Sequence, residues 1–225
     1  KDFFLGADKT VERIQFADAP EWASRNEIIA HSVATPASNR LLAGTSGDDT
    51  IEGENYVSEE LRGGLGADTL TGGYQGGDVY SWKKGDGNDT IIDSVDRDYA
   101  DLLKLTDVTS ADVSLLVYGN DLRVRINPTG EFITIQDHFD ASNANYQYGI
   151  GEILFSDGVL WRRAEIDRRA AYEGTTGADT MSGSLKADTM IGLAGDDVYV
   201  VNHVSDVVVE AMNGGQDTVQ SSVTY

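Results

Sequence analysis

Residues 63–71 read GGLGADTLT. Gly63, Gly64 and Gly66 stand at positions 1, 2 and 4 of this nonapeptide, Asp68 at position 6 and Leu70 at position 8. Glycine allows positive φ and a close approach of backbone to backbone, so successive carbonyl oxygens can turn inward toward one point. In the short strand that follows, alternate residues face opposite sides, which sends Leu70 to a core while Asp68 stays with the turn. One short unit thus specifies a tight turn, an oxygen ligand and a strand.

The same beat runs outward in both directions. Upstream, GTSGDDTIE puts Gly44, Gly47, Asp49 and Ile51 at positions 1, 4, 6 and 8. The unit between, residues 53–62, lacks the inner glycine and is one residue longer, which leaves Glu59 where an aspartate is expected. Downstream, GGYQGGDVYS is also one residue long and carries Gly72, Gly73 and Gly76, with Asp78 at the ligand position and Tyr80 at the core position. GDGNDTII then adds Gly85, Gly87, Asp89 and Ile91. From residue 174 onward Asp179, Asp188, Asp197 and Asp206 step by nine, and Asp217 follows after eleven. Gly174, Gly177, Gly183, Gly192, Gly195 and Gly215 hold turn positions there, while Lys186 replaces an inner glycine. The core partners are Met181, Met190, Tyr199, Val208 and Val219.

If each unit makes half a coil, every unit lies under the next but one and two parallel sheets face each other. In the first block one edge then carries Asp49, Asp68 and Asp89, and the other only Glu59 and Asp78. Calcium takes about six to eight oxygen ligands, more than one turn holds, and two stacked turns with their carbonyls can share an ion. An ordinary Asx turn is the competing reading of a single aspartate; the register repeated through both blocks favours the ligand role. The expectation is about five to seven calcium ions.

Charge agrees with this. The 225 residues carry 38 acidic against 17 basic side chains, a formal charge of −21, which repels nucleic acid and anionic membranes and attracts divalent cations. Cysteine is absent, so no disulfide or thiolate site staples the fold. No apolar run reaches transmembrane length, and the opening KDFFLGADK lacks the form of a signal peptide, so the chain is expected to begin and end within a longer protein.

Between the blocks the pattern changes. Alternating apolar runs at 113–118, 122–126 and 132–135, separated by Gly119-Asn120 and Asn127-Pro128-Thr129-Gly130, predict an antiparallel meander. A hairpin around Asp157-Gly158 and a short helix at about 163–171 should follow. Phe16-Ala17-Asp18 with Trp22 reappears as Phe155-Ser156-Asp157 with Trp161, an offset of 139 residues, so residues 1–42 read as the tail of a preceding related module plus a linker. The remaining divisions are 43–93, 94–171 and 172–225. The acidic group Asp93, Asp96, Asp98 and Asp101 reads as a solvated loop or a cap to the first roll, since Asp101 stands where an EF-hand loop needs glycine.

With these motifs the chain resembles the RTX exoproteins, whose calcium-binding repeat is the established pattern G-G-x-G-x-D-x-U-x. The nonapeptides, the GDGNDTII exit and the meander ending in FSDGVLW resemble the haemolysin-type calcium-binding-related domain as arranged in iron-regulated RTX proteins. The resemblance implies an all-β fold of two parallel β-rolls flanking an antiparallel meander with a short helix. It also implies type I export in an unfolded state from a bacterium, and folding outside or at the cell surface when calcium is met. Its prolines follow Ala19, Thr35 and Asn127, so self-cleavage at an Asp-Pro bond is not expected within these residues.

The expected role is a non-catalytic, calcium-stabilised module of a toxin or adhesin, serving as folding switch and rigid spacer. Two alternatives stay open: an accessory domain of a secreted calcium-dependent enzyme, and an adhesin module whose Tyr146, Tyr148 and Trp161 bind a sugar or peptide. His31, His138 and His203 are scattered with no HExxH, and GTSG is not a GxSxG nucleophile elbow, so nothing in the motifs suggests catalysis.

Overall fold

Short strands alternate between two layers because each turn reverses the chain after three or four extended residues. The computed structural model describes residues 40–93, 101–140 and 148–224. The expected repeat in 1–32, Asp96, Asp98 and Tyr146 lie outside the described residues. The strands of the first block are β1 (Arg40–Ala43), β2 (Thr50–Glu52), β3 (Glu59–Arg62), β4 (Thr69–Thr71), β5 (Val79–Trp82) and β6 (Thr90–Ile92). β1, β3 and β5 pair in parallel in one sheet, β2, β4 and β6 in the other, so each unit does lie under the next but one.

The roll continues past the last nonapeptide. β7 (Leu102–Leu105) pairs in parallel with β5, a half-coil that the nine-residue pattern does not announce. Then come the meander β8 (Val113–Tyr118), β9 (Asp121–Ile126) and β10 (Phe132–Ile135), and the hairpin β11 (Glu152–Leu154) and β12 (Leu160–Arg162). The helix α1 spans Arg163–Arg169, two residues shorter than expected, because Ala171 already opens β13 (Ala171–Glu173). The second roll holds β14 (Thr180–Ser182), β15 (Thr189–Ile191), β16 (Val198–Val201), β17 (Val207–Val209) and β18 (Thr218–Ser221).

The meander is spliced into the roll. β10 pairs in parallel with β6 and β8 in parallel with β13, which makes one nine-stranded sheet of order β17-β15-β13-β8-β9-β10-β6-β4-β2. The opposite layer holds a six-stranded sheet, β1-β3-β5-β7-β11-β12, and a three-stranded one, β14-β16-β18. The physical reason the splice works is register. Ile51, Leu70, Ile91, Ile135, Leu122, Val117, Tyr172, Met190 and Val208 are successive partners across all nine strands, so one apolar row crosses the meander unbroken. Leu42, Leu61, Tyr80, Leu103, Ile153 and Trp161 form the facing row. A slip of one residue anywhere would turn the row toward solvent.

Two core clusters result. The larger runs from Leu61 and Leu70 through Ile91, Leu103, Leu122 and Ile133 to Trp161 and Ile166; the smaller holds Met181, Met190, Tyr199 and Val201. Trp161 lies in this core with its ring 4.5 Å from that of Phe155 and the Arg169 guanidinium 4.2 Å from its centroid, which favours packing over a ligand cradle. α1 packs on β11, β12 and β8 through Ile166. Arg163 anchors it by donating to the carbonyls of Tyr148 at 2.6 Å and of His138, and to Asp167. No helix among the described residues is long and apolar enough to cross a membrane.

At the splice, Arg125 of β9 reaches over β8 to Glu173 of β13, with Nη1–Oε1 at 2.6 Å and Nη2–Oε2 at 3.0 Å. This paired geometry is the arrangement in which an ion pair contributes most for its exposure. Arg125→Ala is expected to lower stability by about 1 kcal/mol in denaturant titration, and an unchanged midpoint would show that the joint holds without it.

Candidate metal centre

The turn carboxylates tie one coil to the next. The Oδ1 atom of a position-6 aspartate accepts the backbone N–H of the position-6 residue one full coil earlier. Asp49 donates to Asp68 at 2.8 Å, Asp68 to Asp89 at 3.0 Å and Glu59 to Asp78 at 2.9 Å. In the second roll Asp179 donates to Asp197 at 2.8 Å, Asp188 to Asp206 at 3.0 Å and Asp197 to Asp217 at 3.0 Å. The aspartates therefore form ladders parallel to the sheets, one along each edge of the rolls.

One ladder is longer than expected. Asp78 donates its N–H to Asp101 Oδ1, so the edge expected to hold only Glu59 and Asp78 continues by a third carboxylate. Asp101 is buried, not a solvated loop residue, because β7 stacks on β5 and carries the residue before it into the turn column. Sequence reasoning missed it for want of flanking glycines; the aspartate immediately before an apolar run, Asp101-Leu102-Leu103, was the available signal.

The second oxygen faces the turn's own backbone. Asp49 Oδ2 accepts from the Thr45 N–H at 2.6 Å, and Asp179 Oδ2 from the Thr175 N–H at 2.6 Å. At Asp68 and Asp197 that oxygen is buried without any hydrogen-bond partner. The position-1 glycine makes room for it: a Cβ on Gly63 would lie 2.0 Å from Asp68 Oδ2. The same holds at Gly183 and Gly192 against Asp188 and Asp197, at 2.4 Å in each case. The position-4 glycine serves the stack instead. Gly66 has φ of +131°, and a Cβ there would meet the Gly47 carbonyl carbon at 2.8 Å.

The edges end differently. Beyond Asp89 the turn N–H groups of Gly85 and Gly87 are taken by the Glu131 carboxylate at 3.1 and 3.2 Å, so the meander itself closes that column. Asn88 Oδ1 accepts from the Phe132 N–H at 3.0 Å and is a turn residue of the same seam. At Glu59 the Arg40 guanidinium lies 3.3 Å from Oε1, so a side-chain cation already serves the irregular unit. Lys186 leaves its turn intact, with Ser184 Oγ 3.1 Å from both Asp188 oxygens.

The electrostatic balance is one-sided. Glu59, Asp68, Asp78, Asp86, Asp89, Asp93, Asp101, Asp197 and Asp206 are buried, while no lysine or arginine among the described residues is. Buried carboxylates need compensating charge or protons. Burial, reinforced by Asp68, Asp86 and Glu131, raises the Asp89 carboxyl to about 7 in the ion-free molecule. Burial also raises Asp68 and Asp188 above the ordinary carboxylate range. Oxygen-only donors, orphaned carboxylate oxygens and inward carbonyls fit a hard divalent cation, and the candidate ligands contain neither thiolate nor imidazole.

A sign follows for pH. A carboxyl whose folded value is raised binds its proton more tightly in the fold than in the unfolded chain. Acidification through pH 7 toward 4 therefore stabilises the ion-free fold and competes with calcium at the same oxygens. The calcium concentration needed for half-maximal folding is expected to rise between pH 8 and pH 5.5, and a midpoint independent of pH would contradict the assignment of Asp89 and Asp68 as ligands.

Together the roll and its carboxylate ladders define a calcium-type parallel β-roll repeat protein. Comparison with known families agrees: the RTX calcium-binding nonapeptide repeat matches residues 41–55, 58–75 and 173–202, and the haemolysin-type calcium binding protein related domain matches residues 121–165. The chain is an RTX-family protein, and its repeats bind calcium. The turn ladders extend beyond the matched repeats, through Asp78, Asp89 and Asp101 and through Asp206 and Asp217. No curated protein matches the chain. Among solved structures it is similar to the extracellular lipase LipA from Serratia marcescens, at 16% identity and a TM-score of 0.22, over 82% of this chain and 29% of the lipase. The chain thus spans less than a third of that protein's length.

Proposed function

We propose that this chain is a non-catalytic calcium-binding module of a large secreted protein, exported by a type I route and folding when it meets millimolar calcium outside the cell. The observation that carries this reading is the burial of nine carboxylates without a buried lysine or arginine among the described residues. In a calcium-poor cytosol such stacks repel one another, so the chain stays extended enough to be threaded; calcium reverses the sign. Once folded, the apolar row that runs unbroken through the nine-stranded sheet makes a stiff unit suited to a spacer or stabiliser of a toxin or adhesin. The proposed ligands are the position-6 carboxylates Asp49, Asp68, Asp78, Asp89, Asp179, Asp188, Asp197, Asp206 and Asp217, with the turn carbonyls of the glycines around them.

Limited proteolysis tests the switch. In chelator, cleavage is expected throughout residues 40–224, and in millimolar calcium those residues are expected to resist. Identical digestion patterns in the two conditions would overturn the reading.

A further inference from the structure

Two turns share a constellation that the nonapeptide pattern does not ask for. Glu210 opens the half-coil that leads to β18, at the position where Gly63, Gly72 and Gly192 open theirs. Its carboxylate is held by the Tyr199 hydroxyl, which donates to Oε1. Tyr199 itself is a core residue of β16 in the smaller cluster, and its hydroxyl reaches back to the Gly192 turn. Oxygens of Asp197, Glu210 and Asp217 all lie within 4.8 Å of one another. They converge beside the Gly192 backbone, where a Cβ would sit 1.9 Å from Tyr199 Oη, 2.4 Å from Asp197 Oδ2 and 2.6 Å from Glu210 Oε1. Asp197 is only 1% exposed, and the Oδ2 atom turned into this cluster has no hydrogen-bond partner. An orphaned buried carboxylate oxygen facing two further carboxylates needs a proton or a cation, and three converging oxygen donors suit a hard cation.

The first block repeats the coil positions, while among the described residues three carboxylates converge within 4.8 Å at the second roll alone. Asp78-Val79-Tyr80 corresponds to Asp197-Val198-Tyr199, Asp93 follows β6 as Glu210 follows β17, and Asp101 precedes β7 as Asp217 precedes β18. A Cβ on Gly72 would lie 2.3 Å from Asp78 Oδ2 and 2.5 Å from Tyr80 Oη, so this tyrosine also reaches its own turn. Asp78, Asp93 and Asp101 are all buried. A chance acidic patch would not recur with the tyrosine, the glycine and both later carboxylates in the same coil positions.

We propose that Asp197, Glu210 and Asp217 form a calcium site of a second kind, in which three side-chain carboxylates share one ion, and that Asp78, Asp93 and Asp101 form its counterpart in the first roll. The proposal rests on the reading that the chain folds around calcium. Each added carboxylate raises affinity for a hard cation, so these two sites fill before the turns that offer fewer carboxylates. The Tyr199 hydroxyl is a positioning group that holds the Glu210 carboxylate over its turn, while the Tyr80 hydroxyl is buried without a hydrogen-bond partner.

Terbium, a luminescent substitute for calcium, reports the site directly because a nearby tyrosine ring sensitises it. Titrated into the full chain, it is expected to give aromatic-sensitised emission over the first two equivalents, and Tyr199→Phe is expected to remove about half of that signal. In calcium calorimetry Glu210→Gln is expected to weaken one of two tight sites by about tenfold or more. The weaker sites and the calcium-saturated circular dichroism should stay unchanged, and Glu210→Asp should retain most of the affinity. Tight sites unchanged in Glu210→Gln, or no sensitised emission from the unaltered chain, would overturn the proposal. If Glu210→Gln does not fold in saturating calcium, Tyr199→Phe decides, since an undiminished signal would overturn the site. A chain that takes up no calcium at all would sink the folding reading as well; calcium-driven folding with Glu210→Gln titrating like the unaltered chain would sink this proposal alone.

Discussion

Moved from millimolar calcium into chelator, the chain is expected to lose its β-rich circular dichroism and become largely disordered. Without ions, each stacked carboxylate pair costs roughly 1 kcal/mol even at high dielectric. Extracellular calcium modules bind with Kd of about 10⁻⁴ M, so at about 1 mM calcium each site adds roughly 1.4 kcal/mol by mass action. About five to seven sites then contribute roughly 7 to 10 kcal/mol, the size of a whole domain's stability. The two apolar clusters, of which the second is small, leave little margin once that contribution is withdrawn. The same folded spectrum in chelator and in calcium would mean that the core, and not the ion, holds the rolls together.

The second large effect separates two glycines that the repeat makes equivalent. Gly47 and Gly87 both occupy position 4, yet nothing lies within 4 Å of a Cβ built on Gly47, while one on Gly87 would stand 1.9 Å from the Gly66 carbonyl oxygen. Gly87 also has φ of +109°, where an L side chain is strained. Left-handed strain alone costs about 1 to 3 kcal/mol, and the clash is with backbone that the neighbouring coil holds in place. Gly87→Ala is therefore expected to cost about 3 kcal/mol or more, seen as a large fall in the calcium-saturated melting temperature. Gly47→Ala should change stability by no more than about 0.5 kcal/mol, because no described atom stands within 4 Å of the added Cβ. Equal losses in the two variants would show that the motif position, and not the stacking contact, sets the requirement.

Much of the candidate site was legible in the chain itself. Asp68, Asp89, Asp197 and Asp206 were expected as turn carboxylates and are buried in the ladders, and Leu70, Ile91, Met190 and Tyr199 were expected as core partners and are buried. Both sets act through a neighbour at a nearly constant separation, so a period in the sequence carries the contact. Val219 keeps the position-8 pattern but remains 46% exposed on β18, the edge strand of its sheet, which shows that the period assigns a facing direction and not a burial.

By itself, then, the sequence determined the half-coil, the direction each side chain faces and the calcium-binding character of the repeats, since these follow from residues spaced nine to eleven apart. Only the tertiary structure decided that the meander continues the sheet, with β10 against β6 and β8 against β13, and that Asp101 extends a ladder and Glu210 enters a turn. Those pairings join segments at irregular separations, and which edges meet depends on the shared register of the apolar row across the whole sheet. Local periodicity carries no record of that choice.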